Sequence, residues 1–329
     1  MKDSADIRKF NIYKIQRILW NGGEHTKQQI AIDTGLSVAT CNTLLNDMEK
    51  SGEVIGNKKR IQEVGRSTIT YQVNESYESI LCISFELIKG KKSLKRIVLS
   101  PLGNILSYTE KFYKILDYCV IKENISEIIS TYSNISQIMI GTPSVAEHGI
   151  IKHCDIEELE NQKIVEEIES CFRIPVYLEN DMHFKIYGYY KKEGVPNDII
   201  TIVNFPSNVL PGTASIHAGT IIKGKNKYAG MLGFLLFGIT RKDEVSLKDI
   251  EMDMYLISKS IAYIIAIINP NIIVFTGDLF DEDIVEYIKN ECLNTIPEEY
   301  MPKFLFIEDI NTYYLEGMYQ KSLDLKGIL

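Results

Sequence analysis

Between Thr26 and Asn46 two short helical patterns meet at Thr34-Gly35-Leu36, and this junction limits the possible folds more than any other stretch of the chain. Thr26 is positioned to cap a first helix over Lys27 to Asp33, which turns Ile30 and Ala31 inward. Gly35 supplies the left-handed backbone that a tight turn needs and most residues avoid. Ser37 then caps a second helix with Val38, Cys41, Leu44, Leu45 and Met48 on one face and Ala39, Thr40, Asn42, Thr43 and Asn46 on the other. A small residue inside the first helix (Ala31), a glycine in the turn, and apolar locks at Leu36, Val38 and Leu45 let the second helix project a short polar ridge. Such a ridge fits the major groove of duplex DNA, where Thr40, Asn42, Thr43 and Asn46 could reach base edges or phosphates, with Thr26, Ser37 and Ala39 as further DNA-contact candidates. A helical hairpin serving protein contacts is the alternative.

The flanking segments extend the same unit. Ile12, Ile15, Ile18 and Leu19 recur at helical spacing up to Asn21-Gly22-Gly23. After Ser51-Gly52, Glu53 to Gly56 reads as a strand, Asn57-Lys58-Lys59-Arg60 as the tip of a hairpin, and Thr70 to Val73 as the return strand, making a wing. Lys58, Lys59 and Arg60 are phosphate candidates, and Arg66 beside Gly65 could lie in a narrow A·T-rich minor groove. Residues 1–73 hold 11 Lys/Arg against 8 Asp/Glu, whereas the whole chain holds 36 against 44. A basic head on an acidic body suits a protein that touches DNA with one end.

From residue 79 the pattern becomes α/β. Buried-strand runs lie at Ile80–Phe85, Ile97–Ser100, Ile138–Gly141, Val176–Glu179, Ile199–Val203, Ser215–Ile222 and Ile272–Phe275. Helical patterns at Asn161–Cys171, Asp181–Lys191, Leu247–Ile268 and Glu282–Leu293 separate several of them, which implies sheets covered by helices. The longest apolar run, Ile261 to Ile268, stops at Asn269-Pro270, short of the roughly 20 residues a membrane-crossing helix needs. The polar N-terminus lacks the apolar core of a secretory signal. The six cysteines form no CxxC pair. Reduced thiols in a cytoplasmic protein follow, and no metal or cofactor is expected, the isolated His217 and His153-Cys154 lacking supporting ligands.

A wing-borne Gly65-Arg66-Ser67 after a helix-turn-helix, followed by an α/β body, resembles the regulator branch of the ROK (repressor, open reading frame, kinase) family. The resemblance runs over nearly the whole chain. It rests on Asn11 and the Ile-rich helix after it, on Thr34-Gly35-Leu36-Ser37, and on Pro101-Leu102-Gly103-Asn104-Ile105. It continues through Ile140-Gly141-Thr142-Pro143, Pro175-Val176-Tyr177-Leu178-Glu179-Asn180-Asp181, Ala229-Gly230-x-x-Gly233, and Asn269-Pro270 through Gly277. The resemblance implies an N-terminal winged helix-turn-helix over 1–78 joined to a two-lobed actin-like ATPase (RNase H-like) domain. Its lobes would cover 79–195 and 196–329, with a C-terminal helix returning to the first. It also implies homodimers or tetramers that read a palindromic operator.

In the family's sugar kinases an Asn-Asp pair at a strand end binds sugar hydroxyls, and the Asp is the general base. Asn180 and Asp181 match that pair, with Thr142 a further ligand-binding candidate. Alternatively, Asp181 caps a helix beginning at Met182. Other kinase parts are missing. Ile83 to Ile88 has no glycine turn for phosphate, and few glycines follow the strand at 199–203. Met231 and Phe234 replace a carboxylate and an imidazole, and Leu235 to Asp253 contains no Cys or His. Each hydrogen-bonding partner lost from a buried sugar site weakens binding by roughly 1–3 kcal/mol. The expected protein is a DNA-binding repressor tied to carbohydrate metabolism, with no catalytic residues and a body answering a sugar-related or other small-molecule effector. An active ROK sugar kinase, and a DNA-binding or scaffold protein with a vestigial pocket, are the alternatives.

Overall fold

The computed structural model describes residues 4–60, 67–88, 90–206, 211–235 and 250–328. The N-terminal unit consists of α1 (Ser4–Leu19), β1 (His25–Thr26), α2 (Lys27–Thr34), α3 (Val38–Lys50), β2 (Val54–Arg60) and β3 (Ser67–Val73). Its strands form an antiparallel sheet in the order β1-β3-β2. Ile15, Leu19, Trp20, Ile30, Leu44, Leu45 and Met48 are buried between the helices and this sheet. Gly35 adopts φ 70° at the C-cap of α2, the left-handed turn read from the sequence.

Two readings of this unit need correction. Asn57 to Arg60 are not the hairpin tip: β2 continues through them, paired with Ser67 to Thr70 of β3. Backbone pairing with β3 holds them extended despite their charge. Val38 is 50% exposed at the start of α3, so it does not help lock the helices.

The body contains two sheets of the same design. The first comprises β4 (Ser79–Ile88), β5 (Lys91–Leu99), β6 (Ile105–Tyr113), β7 (Ile135–Thr142) and β10 (Val176–Asn180), ordered β10-β7-β4-β5-β6. The second comprises β11 (Ile199–Asn204), β12 (Gly212–His217), β13 (Thr220–Ile221), β14 (Ile272–Thr276) and β15 (Lys303–Phe306), ordered β13-β12-β11-β14-β15. In each, a parallel trio is extended on one side by an antiparallel pair. The stretch read as one strand, Ser215–Ile222, is thus two, turned at Ala218-Gly219, both at positive φ. Ile97–Ser100 is only the end of β5, and β6 lies beside it. A two-stranded ribbon of β8 (Val145–Glu147) and β9 (Ile150–Lys152) follows the first sheet's β7.

Helices α4 (Tyr118–Thr131) and α5 (Ile164–Phe172) contribute Ile121, Ile125, Ile164 and Ile168 to one core of the first sheet. In the second, α7 (Ile250–Ile268) and α8 (Glu282–Leu293) bury Ile257, Ile261, Val285 and Ile288. The helix read from Asn161 starts at Ile164, and residues 247–249 of the one read from Leu247 lie outside the described residues.

Between the sheets run α6 (Asp181–Glu193) and α9 (Asn311–Lys326). They approach so closely that a Cβ on Gly188 would stand 1.8 Å from the Tyr313 carbonyl oxygen, and one on Gly317 1.9 Å from that of Phe184. Only glycine fits either position. The far end of α9 reaches the head: Leu323 and Ile328 share a core with Ile15 and Trp20, and Lys326 pairs with Glu78. Glu53 lies buried beside this pair, and the Gln16 amide donates to it at 2.5 Å. Burial pushes the Glu53 carboxyl pKa up; the Gln16 hydrogen bond and the Lys326 charge oppose this, and Glu78 adds to it.

Candidate functional site

The polar ridge of α3 stands clear of the head's core. Ser37 caps the helix through its hydroxyl, which accepts from the Thr40 amide at 3.1 Å, and the two hydroxyls lie 2.8 Å apart. Ser37, Ala39 and Thr43 are exposed, and Thr40, Asn42 and Asn46 are half-buried. Thr43 donates back to the Ala39 carbonyl at 3.2 Å. Lys27 donates to the Asn42 side-chain oxygen Oδ1 and lies over the Tyr71 ring, which fixes the Asn42 side-chain amide on the helix surface.

The other head candidates divide. Thr26 acts locally: its hydroxyl accepts from the Gln29 amide at 3.2 Å, while its own amide donates to the Gln29 side chain at 2.8 Å, a complete capping box. Lys58 is exposed on β2. Lys59 is exposed and pairs with Glu24 at 2.6 Å, and that contact with the Thr70 hydroxyl holds the Glu24 carboxyl below its usual range. Of Arg60 the structure describes the backbone in β2, and Gly65 and Arg66 lie outside the described residues.

The second candidate region is a cleft of about 1070 Å³ between the two sheets. Asn180 and Asp181 lie on its wall at the junction of β10 and α6, as do Met231 and Phe234, which line the space without filling it. Thr142 is not on the wall; it is fully buried at the end of β7. The pair expected to meet a sugar is already engaged. The Asn180 side-chain oxygen Oδ1 caps α6 by accepting from the Met182 amide at 2.9 Å, and its side-chain Nδ2 donates to the Ser144 carbonyl at 3.0 Å. The helix cap is therefore Asn180 rather than Asp181. Asp181 accepts from the Lys185 ammonium at 2.6 Å, with both groups buried. Burial opposes the Lys185 charge, but Asp181 and Glu86 together raise its pKa above the ordinary lysine value. Asp181 and Lys185 are four residues apart on one helix face, so the pairing was readable from spacing alone.

Next to this pair, buried Glu179 accepts from Tyr177 at 3.0 Å, contacts His183 at 3.0 Å and pairs with Lys223. Burial resists its charge, but His183 and Lys223 hold the carboxyl far below the usual carboxylate range. A second lysine, Lys227, stands 3.9 Å from Glu179. Sequence reasoning missed both lysines because loop residues 223 and 227 reach Glu179 only through the fold, and missed His183, four residues from Glu179, although spacing alone offered it.

Across the cleft the wall is acidic. Asp278, Asp281, Glu282, Asp283 and Glu308 line it, and Asp281 caps α8 by accepting from the Ile284 amide at 2.8 Å. A helix start attracts phosphate through its free amides and positive dipole end; here carboxylates occupy that position. Among the described residues no group of three or more His, Cys, Asp or Glu side chains is arranged to hold a metal ion, and no helix is long and apolar enough to cross a membrane.

No family model matches the chain, and no curated protein matches its sequence. Solved structures match its fold. A ROK family transcriptional regulator, a homolog of the E. coli MLC protein, covers 98% of this chain and 99% of its own, with a TM-score of 0.70 at 15% identity. A ROK family protein from Streptococcus pneumoniae TIGR4, in complex with sucrose, covers 75% of this chain and 99% of its own (TM-score 0.58, 17% identity). A ROK family glucokinase from Streptomyces griseus, in complex with glucose and AMPPNP, covers 74% and 98% (TM-score 0.55, 13% identity). The chain has the ROK fold, and the regulator matches head and body together.

Proposed function

We propose that this chain is a DNA-binding transcriptional regulator of the ROK family, a repressor whose kinase-like body senses a small molecule and transfers no phosphoryl group. The observation that carries the reading is the polar ridge of α3, exposed or half-buried at the surface of a capped helix, within a winged head fused to a ROK-like body. Thr40, Asn42, Thr43 and Asn46 meet the major groove, and Ser37, Ala39 and the wing meet the backbone beside it. Arg66 with Gly65 reads a narrow A·T-rich minor groove next to it. One head of modest charge binds weakly, so two heads of a homodimer or tetramer act together on a palindromic operator.

The functional units run over 1–78, 79–195 and 196–329. Phosphoryl transfer would need a free base at Asp181 and a positive environment for phosphate. The Lys185 pair removes the first, and the acidic start of α8 opposes the second. Among the described residues no side chain fills the cleft, which supports a sensor rather than a vestigial pocket.

Coupling follows the helices. α6 starts at the cleft and Asn311 opens α9 on its wall, the two helices lock at Gly188 and Gly317, and α9 ends in the head's core. A ligand that binds one arrangement of the lobes better than the other would shift the spacing of paired heads through this bar. The test is a gel-shift and footprinting titration of the purified protein on its own upstream region and on A·T-rich palindromes. Protection of a palindromic site supports the reading; absence of protection on all of them overturns it. In a parallel assay, ATP and hexoses are expected to give no sugar phosphate.

A further inference from the structure

Among the described lysines of the cleft wall, Lys227 has the weakest internal partner. Its ammonium stands 3.9 Å from Glu179, beyond hydrogen-bond range, and Glu179 is already held by Lys223, His183 and Tyr177. Half-buried, with its backbone in the left-handed region at φ 57°, Lys227 lines the cleft. Burial lowers its pKa, Glu179 and more weakly Glu147 oppose that, and Lys223 adds to it, so a further anion in direct contact would relieve an ammonium that the chain itself only partly compensates.

The wall that follows it along the chain is apolar. Met231 and Phe234 line the space, the His153 ring meets Phe234 edge-on at 5.9 Å, and Tyr228 packs on Phe234 at 5.1 Å. The hydroxyl-binding groups a hexose would use are turned inward, Asn180 to its helix and Ser144, Asp181 to Lys185. Asp155, the carboxylate on the same wall, is engaged as well.

We infer that the cleft takes a small amphipathic carboxylate, its acid group on Lys227 on the Glu179 side rather than at the acidic start of α8, and its apolar, preferably aromatic, body against Met231, Phe234 and His153. The inference deepens the sensor reading above and rests on it for the cleft's role, although ligand binding and operator binding are measured separately. A carboxylate gains a charge-assisted hydrogen bond that a neutral hydroxyl cannot match, and rings contact aromatic walls better than polyols do.

The test is calorimetric titration of the full chain with phenylacetate, phenethyl alcohol, phenethylamine and glucose. Phenylacetate is expected to bind at least about tenfold more tightly than the alcohol, with the amine and glucose weaker still. Lys227→Met should abolish the preference for phenylacetate over the alcohol, Lys227→Arg should keep it, and Lys225→Met, at an exposed position nearby, should leave it unchanged. Equal binding of the acid and the alcohol, tighter binding of the amine or of glucose, or no binding of phenylacetate overturns the inference. The ligand series on the unaltered protein decides this even if Lys227→Met fails to fold. Operator binding that persists while phenylacetate fails sinks this inference alone. Phenylacetate binding without operator binding sinks the regulator reading alone.

Discussion

The ridge of α3 and the wall of the cleft are made from similar material, short polar side chains at the start of a capped helix, and they use it in opposite ways. On α3 the contacts of Ser37, Thr40 and Thr43 are local, Asn42 accepts from Lys27 of the neighbouring helix, and the side chains remain at the surface, exposed or half-buried. At the start of α6, Asn180 and Asp181 are tied to Ser144 and to buried Lys185. Hydrogen bonds that shape a helix end leave a surface able to meet a partner. A buried ion pair removes its members from such duty, because separating them exposes a charge with nothing to compensate it. The same residue type therefore marks a contact surface in one place and a structural tie in the other.

The largest test of that contrast is Asp181→Ala. It should lower unfolding stability in denaturant by about 3–5 kcal/mol, since it strands the Lys185 ammonium in the interior. Asp181→Leu combined with Lys185→Met should recover most of the loss. A sugar-facing base would instead give a single mutant of nearly unchanged stability. Next comes the ridge: Asn42→Ala and Asn46→Ala should each weaken operator binding by about 1–3 kcal/mol, measured by anisotropy at fixed salt, with the melting temperature unchanged. A fall in melting temperature without loss of binding would erase the distinction between the two regions.

A smaller effect is expected at the joint between them. An acid whose folded pKa lies above its unfolded value takes up protons more readily when folded. The cost of burying Glu53 as an anion is therefore absent at low pH and grows as pH rises from its unfolded pKa through its folded one. Glu53→Gln should stabilise the protein by on the order of 1 kcal/mol at neutral pH, with the gain shrinking as the pH approaches 4. Thermal melts across that range check the sign. The least effect belongs to Thr26→Ala, which removes one capping box and should cost about 1 kcal/mol or less without altering sequence preference.

The head was legible because its signals are local: Thr26, Gly35 and Ser37 each fix a backbone conformation within a few residues. Where partners decide, reading from spacing failed. Three consecutive basic residues at 58–60 look like a loop until β3 is laid beside them. Val38 has an apolar side chain but occupies the first turn of α3, outside the contact with α2. Thr142 sits in a motif that suggests a ligand, yet β7 lies between β4 and β10, and its end is sealed. The roles of Lys223 and Lys227 depend on a loop of the second sheet reaching Glu179 of the first, which no local pattern announces.

The pairing of Lys326 with Glu78 joins positions 248 residues apart. A ribosome that has released the head still has that stretch to make, which takes on the order of tens of seconds at ordinary rates of translation. Throughout that interval the nascent head carries Glu53 and Glu78 without the Lys326 ammonium that pairs with Glu78 and favours the charge on Glu53, and lacks Leu323 and Ile328 from its core. The part made first is finished last.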